Sequence, residues 1–524
     1  MSSKNKNNLG ENEKGVDLET YNENKEITDD NYNKDLCVEC NNGKFVGLQD
    51  GDVITYKGIP YAQQPVGKLR FKPPVEASDS DKVFEAYYLG KASIQTECET
   101  EMSSYYEQGE DCLTLNVYKN STSQLEKKPV MVFIHGGAFG WGGTADPLYE
   151  GTNLIQSHKD VILVTTNYRV CILGFINLSI LGGGDEYKES GNLGILDLIC
   201  ALKWVQKNIE KFGGDPNNVT IFGESAGGCA VSILPLIKGT KGLFHHVIAQ
   251  SGSYQFTNSI ESSLVVTQKI IELTNFKTVE ELLKLSENEI RELISQFEDD
   301  VMIFPVRDGI TLPKDLYNEF DTFDFSGIDF FFGTNKDEYR YWIEDYGGLD
   351  IYKEAVPQLY ENYLSQFSES DKKYVKIFLD YVKGEEIWKL TSFLNDYMFR
   401  IPAIAQAEKI CKRGGKVFMY YWTFPSAIEN LGACHAVELS SVFNNLRNHI
   451  YTGGNVNEEL AKTVQEMWIN FATKGDPSTE KYKCNCYDLS ERRAIVLGDD
   501  IHEEKDILST QRILLAQLPK YYLC

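Results

Sequence analysis

Val219-Thr220-Ile221-Phe222-Gly223-Glu224-Ser225-Ala226-Gly227-Gly228-Cys229-Ala230 decides how the chain is read. A short β-branched, apolar run ends in Gly-x-Ser-x-Gly and passes into small residues that suit the start of a helix. With Gly at 42 of 524 residues, chance supplies about 0.3 such patterns in a chain of this length, so the flanks carry the reading. A serine on a tight strand-to-helix turn sits in strained backbone, and Gly at both ±2 positions lets the two segments pass closely. The bland alternative is a Gly-rich turn with a capping serine. Ser225 is therefore a candidate nucleophile, with Glu224 beside it as a candidate for the electrostatics of its pocket.

Strand-like and helix-like stretches alternate on either side. Val130 to Ile134 ends at His135-Gly136-Gly137, and Val161 to Thr166 ends at Asn167. Asn192 to Phe212 has helical apolar spacing and closes at Gly213-Gly214. His246 to Gln250, Phe330 to Phe332 and Val417 to Phe424 follow, with helical stretches between them. Continuous apolar strands separated by helices predict an α/β protein with a large, mostly parallel central sheet and helices on both faces. In such sheets the chemistry lies on the turns that leave the strand C-terminal ends. An attacking serine needs donors for the oxyanion it creates, and the small residues after His135 suit that role. The amides of Gly137, Ala138 and Ala226 are the candidate oxyanion hole, whereas His135 reads as structural.

These motifs resemble those of type-B carboxylesterases, the cholinesterase/carboxylesterase family of the α/β-hydrolase fold. Tyr56-Lys57-Gly58-Ile59-Pro60-Tyr61-Ala62, Glu110-Asp111-Cys112-Leu113, Asn167-Tyr168-Arg169-Val170, Phe212-Gly213-Gly214-Asp215-Pro216, Gln250-Ser251-Gly252-Ser253 and Asn470-Phe471-Ala472 stand in the family's order, over about residues 40 to 520. The resemblance places the family's acid in Gly333-Thr334-Asn335-Lys336-Asp337-Glu338 and its histidine in Ala433-Cys434-His435-Ala436-Val437-Glu438. It implies a triad of Ser225, Glu338 and His435 in the chain order of α/β-hydrolases, with Asp337 as the alternative acid. Of the seven histidines, only His435 lies on a plausible loop downstream of both partners. The implied activity is hydrolysis of carboxylic esters through an acyl-enzyme, needing neither cofactor nor metal. Two alternatives accompany it: a catalytically inactive binding or adhesion protein, and a lipid-ester, thioester or amide hydrolase on the same triad.

Composition bounds the rest. With 52 Lys+Arg against 77 Asp+Glu the net charge is −25, which argues against nucleic acid as a partner and leaves a small-molecule ester as the expected one. No uninterrupted apolar run is long enough to span a bilayer, so no transmembrane segment is expected. Residues 1–35 hold five Lys and nine acids with little to bury, which predicts a disordered tail ahead of a single α/β-hydrolase domain at 36–524. Where the family's disulfide would join Cys112 to a partner, the partner position holds Ser93, with Cys98 displaced. That departure and the lack of an apolar leader predict a reducing, cytoplasmic setting. Cys37/Cys40 and Cys484/Cys486 lack the paired spacing of a zinc site. No Trp lies between Glu99 and Glu110, which disfavours choline esters. Cys171, where the family usually has Gly, reads as a packing change.

Overall fold

A computed structural model describes residues 22–29, 31–95, 107–297 and 302–519. Its centre is an 11-stranded sheet. Numbered along the chain, its strands are β1 Leu48–Asp50, β2 Val53–Pro60, β3 Thr114–Asn120, β4 Lys128–Ile134, β5 Ile162–Thr166, β6 Gly214–Glu224, β7 His246–Gln250, β8 Asp329–Asn335, β9 Lys416–Trp422, β10 Arg493–Leu497 and β11 His502–Lys505. Across the sheet they run 11-10-9-8-7-6-4-5-3-2-1. From β10 to β5 every neighbouring pair is parallel; β1, β2, β3 and β11 add antiparallel edges.

The inner strands are apolar on both faces because both faces are covered. All residues of β4 and of β5 are buried. The helical spacing read over Asn192 to Phe212 resolves into an α-helix, Leu193–Asn208, then a 3-10 turn, Ile209–Phe212. The turn stops at Gly213, whose φ of 88° is the left-handed conformation in which helices commonly end.

Register sets the site. Ile134 pairs with Gly223, Glu224 with Gln250, and Gln250 with Gly333. Asn335 pairs in turn with Trp422. The loops that follow β4, β6, β7 and β8 thus leave the sheet side by side at one edge. Buried ion pairs brace its surroundings. Arg169 holds Asp197 through two side-chain hydrogen bonds of 2.7 and 2.8 Å, and Arg70 holds Glu110 at 2.5 and 2.6 Å. Each arginine donates to both carboxylate oxygens, the arrangement that best offsets the cost of burying two charges.

Two expectations need correction. The tail expected over 1–35 does not hold for its described part. Glu26–Ile27 form a strand against Val83 and Phe84, and the Asn24 side chain accepts from the Tyr87 and Tyr88 amides at 2.8 and 2.9 Å. Ile27 and Tyr32 supply the apolar anchors that bulk composition hid. Residues 1–21 lie outside the described residues. Cys171, in turn, is more than a packing change. Its φ is 54°, the left-handed region that favours glycine, and its amide donates to Phe139 O at 2.7 Å.

Candidate active site

Ser225 joins β6 to the helix Ala226–Ile233 with φ 56° and ψ −119°, a conformation ordinary residues avoid. It is the only residue of 221–230 that is not fully buried, so the strain lifts its hydroxyl out of a closed core. The surrounding backbones touch. A methyl group at Gly227 would overlap the Ile134 carbonyl oxygen, and one at Gly136 would lie 2.9 Å from Glu224 O and 3.2 Å from Ser225 Cβ. Small residues at these two positions are a steric requirement. The loop after β4 is left-handed three times running, at Gly137 (94°), Ala138 (50°) and Phe139 (58°). The amides of Gly137 and Ala138, with that of Ala226 at the helix start, take part in none of the backbone hydrogen bonds that hold these loops. Amides free in this way can receive a negatively charged oxygen.

His135, ahead of that loop, is buried and stacked on Tyr168 with centroids 4.4 Å apart. Burial pushes its pKa down to about 4. A neutral ring wedged under the loop serves packing.

Glu338 and His435 meet on loops laced together by backbone. The Asp337 amide donates to Ala433 O at 2.9 Å and the His435 amide to Glu338 O at 3.3 Å. His435 Nδ1–H donates to Glu338 Oε2 at 2.6 Å. The other oxygen of Glu338 accepts from Ser251 Oγ and from the Asn335 amide, both at 2.7 Å. Asp337, the alternative acid, faces elsewhere: it pairs with Arg340 at 3.2 Å and accepts from the Ala433 amide at 3.0 Å.

Glu224 has a more direct place than its neighbourhood in sequence suggests. Its Oε1 lies 3.0 Å from His435 Nε2. The imidazole thus lies between two carboxylates, hydrogen-bonded to Glu338 through Nδ1 and within ion-pair distance of Glu224 at Nε2. Burial alone would lower the pKa of His435. Glu224, then Glu338 and Glu438, outweigh burial and raise it to about 9.

Ser251, Asn335 and Glu438 were quoted in motifs but given no role. Glu438 is fully buried behind Glu338, where its carboxylate accepts from Gln250 Nε2 (2.9 Å) and Asn335 Nδ2 (2.7 Å). Burial pushes its pKa up, with the Asn335 bond opposing. The signal that could have found these residues was polarity at strand ends and on a buried turn, where an apolar side chain is the default.

The remaining histidines and cysteines stand apart. His246 faces Asp329 at 3.4 Å, His158 bonds Gln465 at 3.3 Å, and His502 is half-exposed. The ten cysteines among the described residues are free thiols, and no cluster of His, Cys, Asp and Glu there could hold a metal ion. Cys98, and 99–106 of the stretch noted for lacking Trp, lie outside the described residues. No described helix is long and apolar enough to cross a membrane.

Comparison with known proteins supplies the family. The model of the carboxylesterase family matches residues 34–510. Para-nitrobenzyl esterase of Bacillus subtilis is 33% identical over 490 residues, covering 90% of this chain and 96% of that protein. Liver carboxylesterase of Sus scrofa is 31% identical, covering 84% of each. Among solved structures, a carboxylesterase of Geobacillus stearothermophilus superposes with a TM-score of 0.83 at 30% identity, covering 92% of this chain and all of the other.

Proposed function

This chain belongs to the carboxylesterase family and is a carboxylic-ester hydrolase of the α/β-hydrolase fold, and from that premise we propose that Ser225 is its nucleophile, His435 its general base and Glu338 the acid that orients the histidine. The observation that carries the assignment is the 2.6 Å bond from His435 Nδ1 to Glu338, with Nε2 turned to the residue adjoining Ser225. The bond to Glu338 fixes the tautomer, so the unprotonated nitrogen of the neutral ring is Nε2. Nε2 takes the Ser225 proton as Oγ attacks the ester carbonyl. The amides of Gly137, Ala138 and Ala226 receive the oxyanion; removing one such donor typically costs about 10²–10³ in rate. His435 then hands the proton to the departing alcohol, and water, activated by the same nitrogen, releases the acid from Ser225. Glu224 stabilises the imidazolium formed in each half-reaction.

The same reading makes residues 36–524 one catalytic domain around the 11-stranded sheet and puts it in a reducing compartment. The ten free thiols support that placement, as does Ser93, whose hydroxyl hydrogen-bonds Cys112 where the family's pattern expects a disulfide. The substrate is a small-molecule ester. Retention of all three triad residues weighs against the inactive binding-protein alternative.

A fluorophosphonate probe tests the assignment. It should label Ser225 of the folded protein, and Ser225→Ala should abolish both labelling and hydrolysis of short p-nitrophenyl esters. A folded wild-type protein that stays unlabelled would overturn it. A series of acyl chains from acetyl to palmitoyl then decides between short-ester and lipid-ester hydrolysis.

A further inference from the structure

We propose that Trp342 is a positioning residue for His435, gripping the face of the imidazole whose edge Glu338 holds. The inference rests on the triad assigned above. Glu338 begins the 3-10 turn Glu338–Tyr341, and Trp342 opens the helical turn that follows at once. One short segment therefore carries both the acid that binds Nδ1 and an indole stacked on the same ring, with centroids 5.6 Å apart and planes at 29°.

The stack is anchored. Tyr339, nearly fully buried, lies on the indole at 4.7 Å and 21°, and its carbonyl accepts from Tyr352 Oη. Phe399 packs against His435 at 5.0 Å and against Trp342 at 6.1 Å, while Tyr341 meets the imidazole edge-on at 5.9 Å.

The need for such a grip follows from the hydrogen bonds. A histidine held only through Nδ1 can still turn about its outer side-chain torsion, which has no sharp staggered minimum. Once Nε2 carries the proton, it also has a rival acceptor, the Glu224 carboxylate 3.0 Å away. In each half-reaction Nε2 must face an oxygen on Ser225, on the departing alcohol or in the attacking water, and not that carboxylate. A ring clamped on its face moves between these partners by small displacements within one plane. Without the indole it settles against Glu224 and meets the other oxygens off line. Stacking also places a π-face beside the imidazolium, which that face attracts. The charged groups that act on the ring, Glu224 and Glu338 at its edges and Glu438 behind Glu338, stay in place when Trp342 changes.

Steady-state kinetics on p-nitrophenyl acetate, the rate of fluorophosphonate labelling and the pH profile of kcat/KM test the proposal in Trp342→Leu and Trp342→Phe, with Ser225→Ala alongside. Trp342→Leu should lower kcat and the labelling rate by about fivefold to tenfold, the scale of one lost aromatic pair. KM should stay within about twofold, because the histidine serves both half-reactions. The apparent pKa of kcat/KM should fall as the π-face is lost. Trp342→Phe should recover most of the activity and the pH profile. The proposal is overturned if Trp342→Leu raises KM or alters acyl-length preference with kcat retained, since Trp342 is then only a wall of the substrate pocket. It is equally overturned if both variants lose activity in step with a lowered thermal midpoint. Wild-type hydrolysis by Ser225→Ala would instead remove the triad reading itself, whatever Trp342 does.

Discussion

Glu224 and His435 set how the site answers to pH. As the proposed base His435 must be unprotonated, and the carboxylates around it hold it in the imidazolium form up to about pH 9. Activity should therefore climb through neutral and mildly alkaline pH, with kcat/KM levelling near that value. Glu224→Gln removes the largest of the attractions that raise the pKa, so its rising limb should sit at lower pH than the wild type's. An unmoved limb would show that Glu224 does not act on the imidazole. The same shift enters stability with a definite sign. A folded pKa raised from 6.5 to about 9 contributes stability that is full below about pH 6.5 and lost as pH rises through 9. Ser251 is tested through Glu338. Ser251→Ala removes one hydrogen bond to a buried carboxylate, which typically contributes about 1.5–3 kcal/mol. kcat should fall about tenfold or more with KM near its wild-type value, and an unchanged kcat would make Ser251 a packing residue.

Between β6 and the helix at Ala226, the turn works only while the chain leaving β4 stays close. Gly227→Ala would force a methyl group into the Ile134 carbonyl oxygen. The variant should lose about 1–3 kcal/mol of stability and most of its esterase activity, as read by chemical denaturation and p-nitrophenyl acetate turnover; wild-type values in both would show that the contact yields freely. The strands easiest to read in the sequence were the inner ones. Val219 to Phe222, His246 to Gln250 and Phe330 to Phe332 are apolar on both faces, and no helix of such length would fit between their flanking turns. The edges were not read as strands. β11, His502–Lys505, has no apolar side chain, and β1 is exposed along its length. Their identity comes from backbone pairing with β10 and β2, which composition does not record. The candidate site shows the same division. Ser225 and the glycines announce themselves through local backbone demands. The contact of Glu224 with His435 joins residues 211 positions apart, and no local pattern carries it. Trp342 was invisible for a related reason: a tryptophan near an acid reads as core until the ring it stacks on is known.

At the scale of the whole molecule, stability rests on the 11-stranded sheet and buried ion pairs, with no disulfide among the ten described cysteines. Thermal midpoints should therefore agree with and without a reducing agent, and a fall on reduction would reveal a disulfide among the cysteines outside the described residues. The charge of −25 favours solubility and works against compaction by self-repulsion, which added salt should relieve. The backbone at Ser225 has a consequence at this scale too. A residue at φ 56°, ψ −119° carries strain of about 1–3 kcal/mol, whereas glycine there would lose only about 1 kcal/mol to unfolded-state freedom. Ser225→Gly should consequently be inert and melt higher than the wild type. The wild-type enzyme then lies below the stability open to its own fold, and the shortfall sits at the residue proposed to do the chemistry.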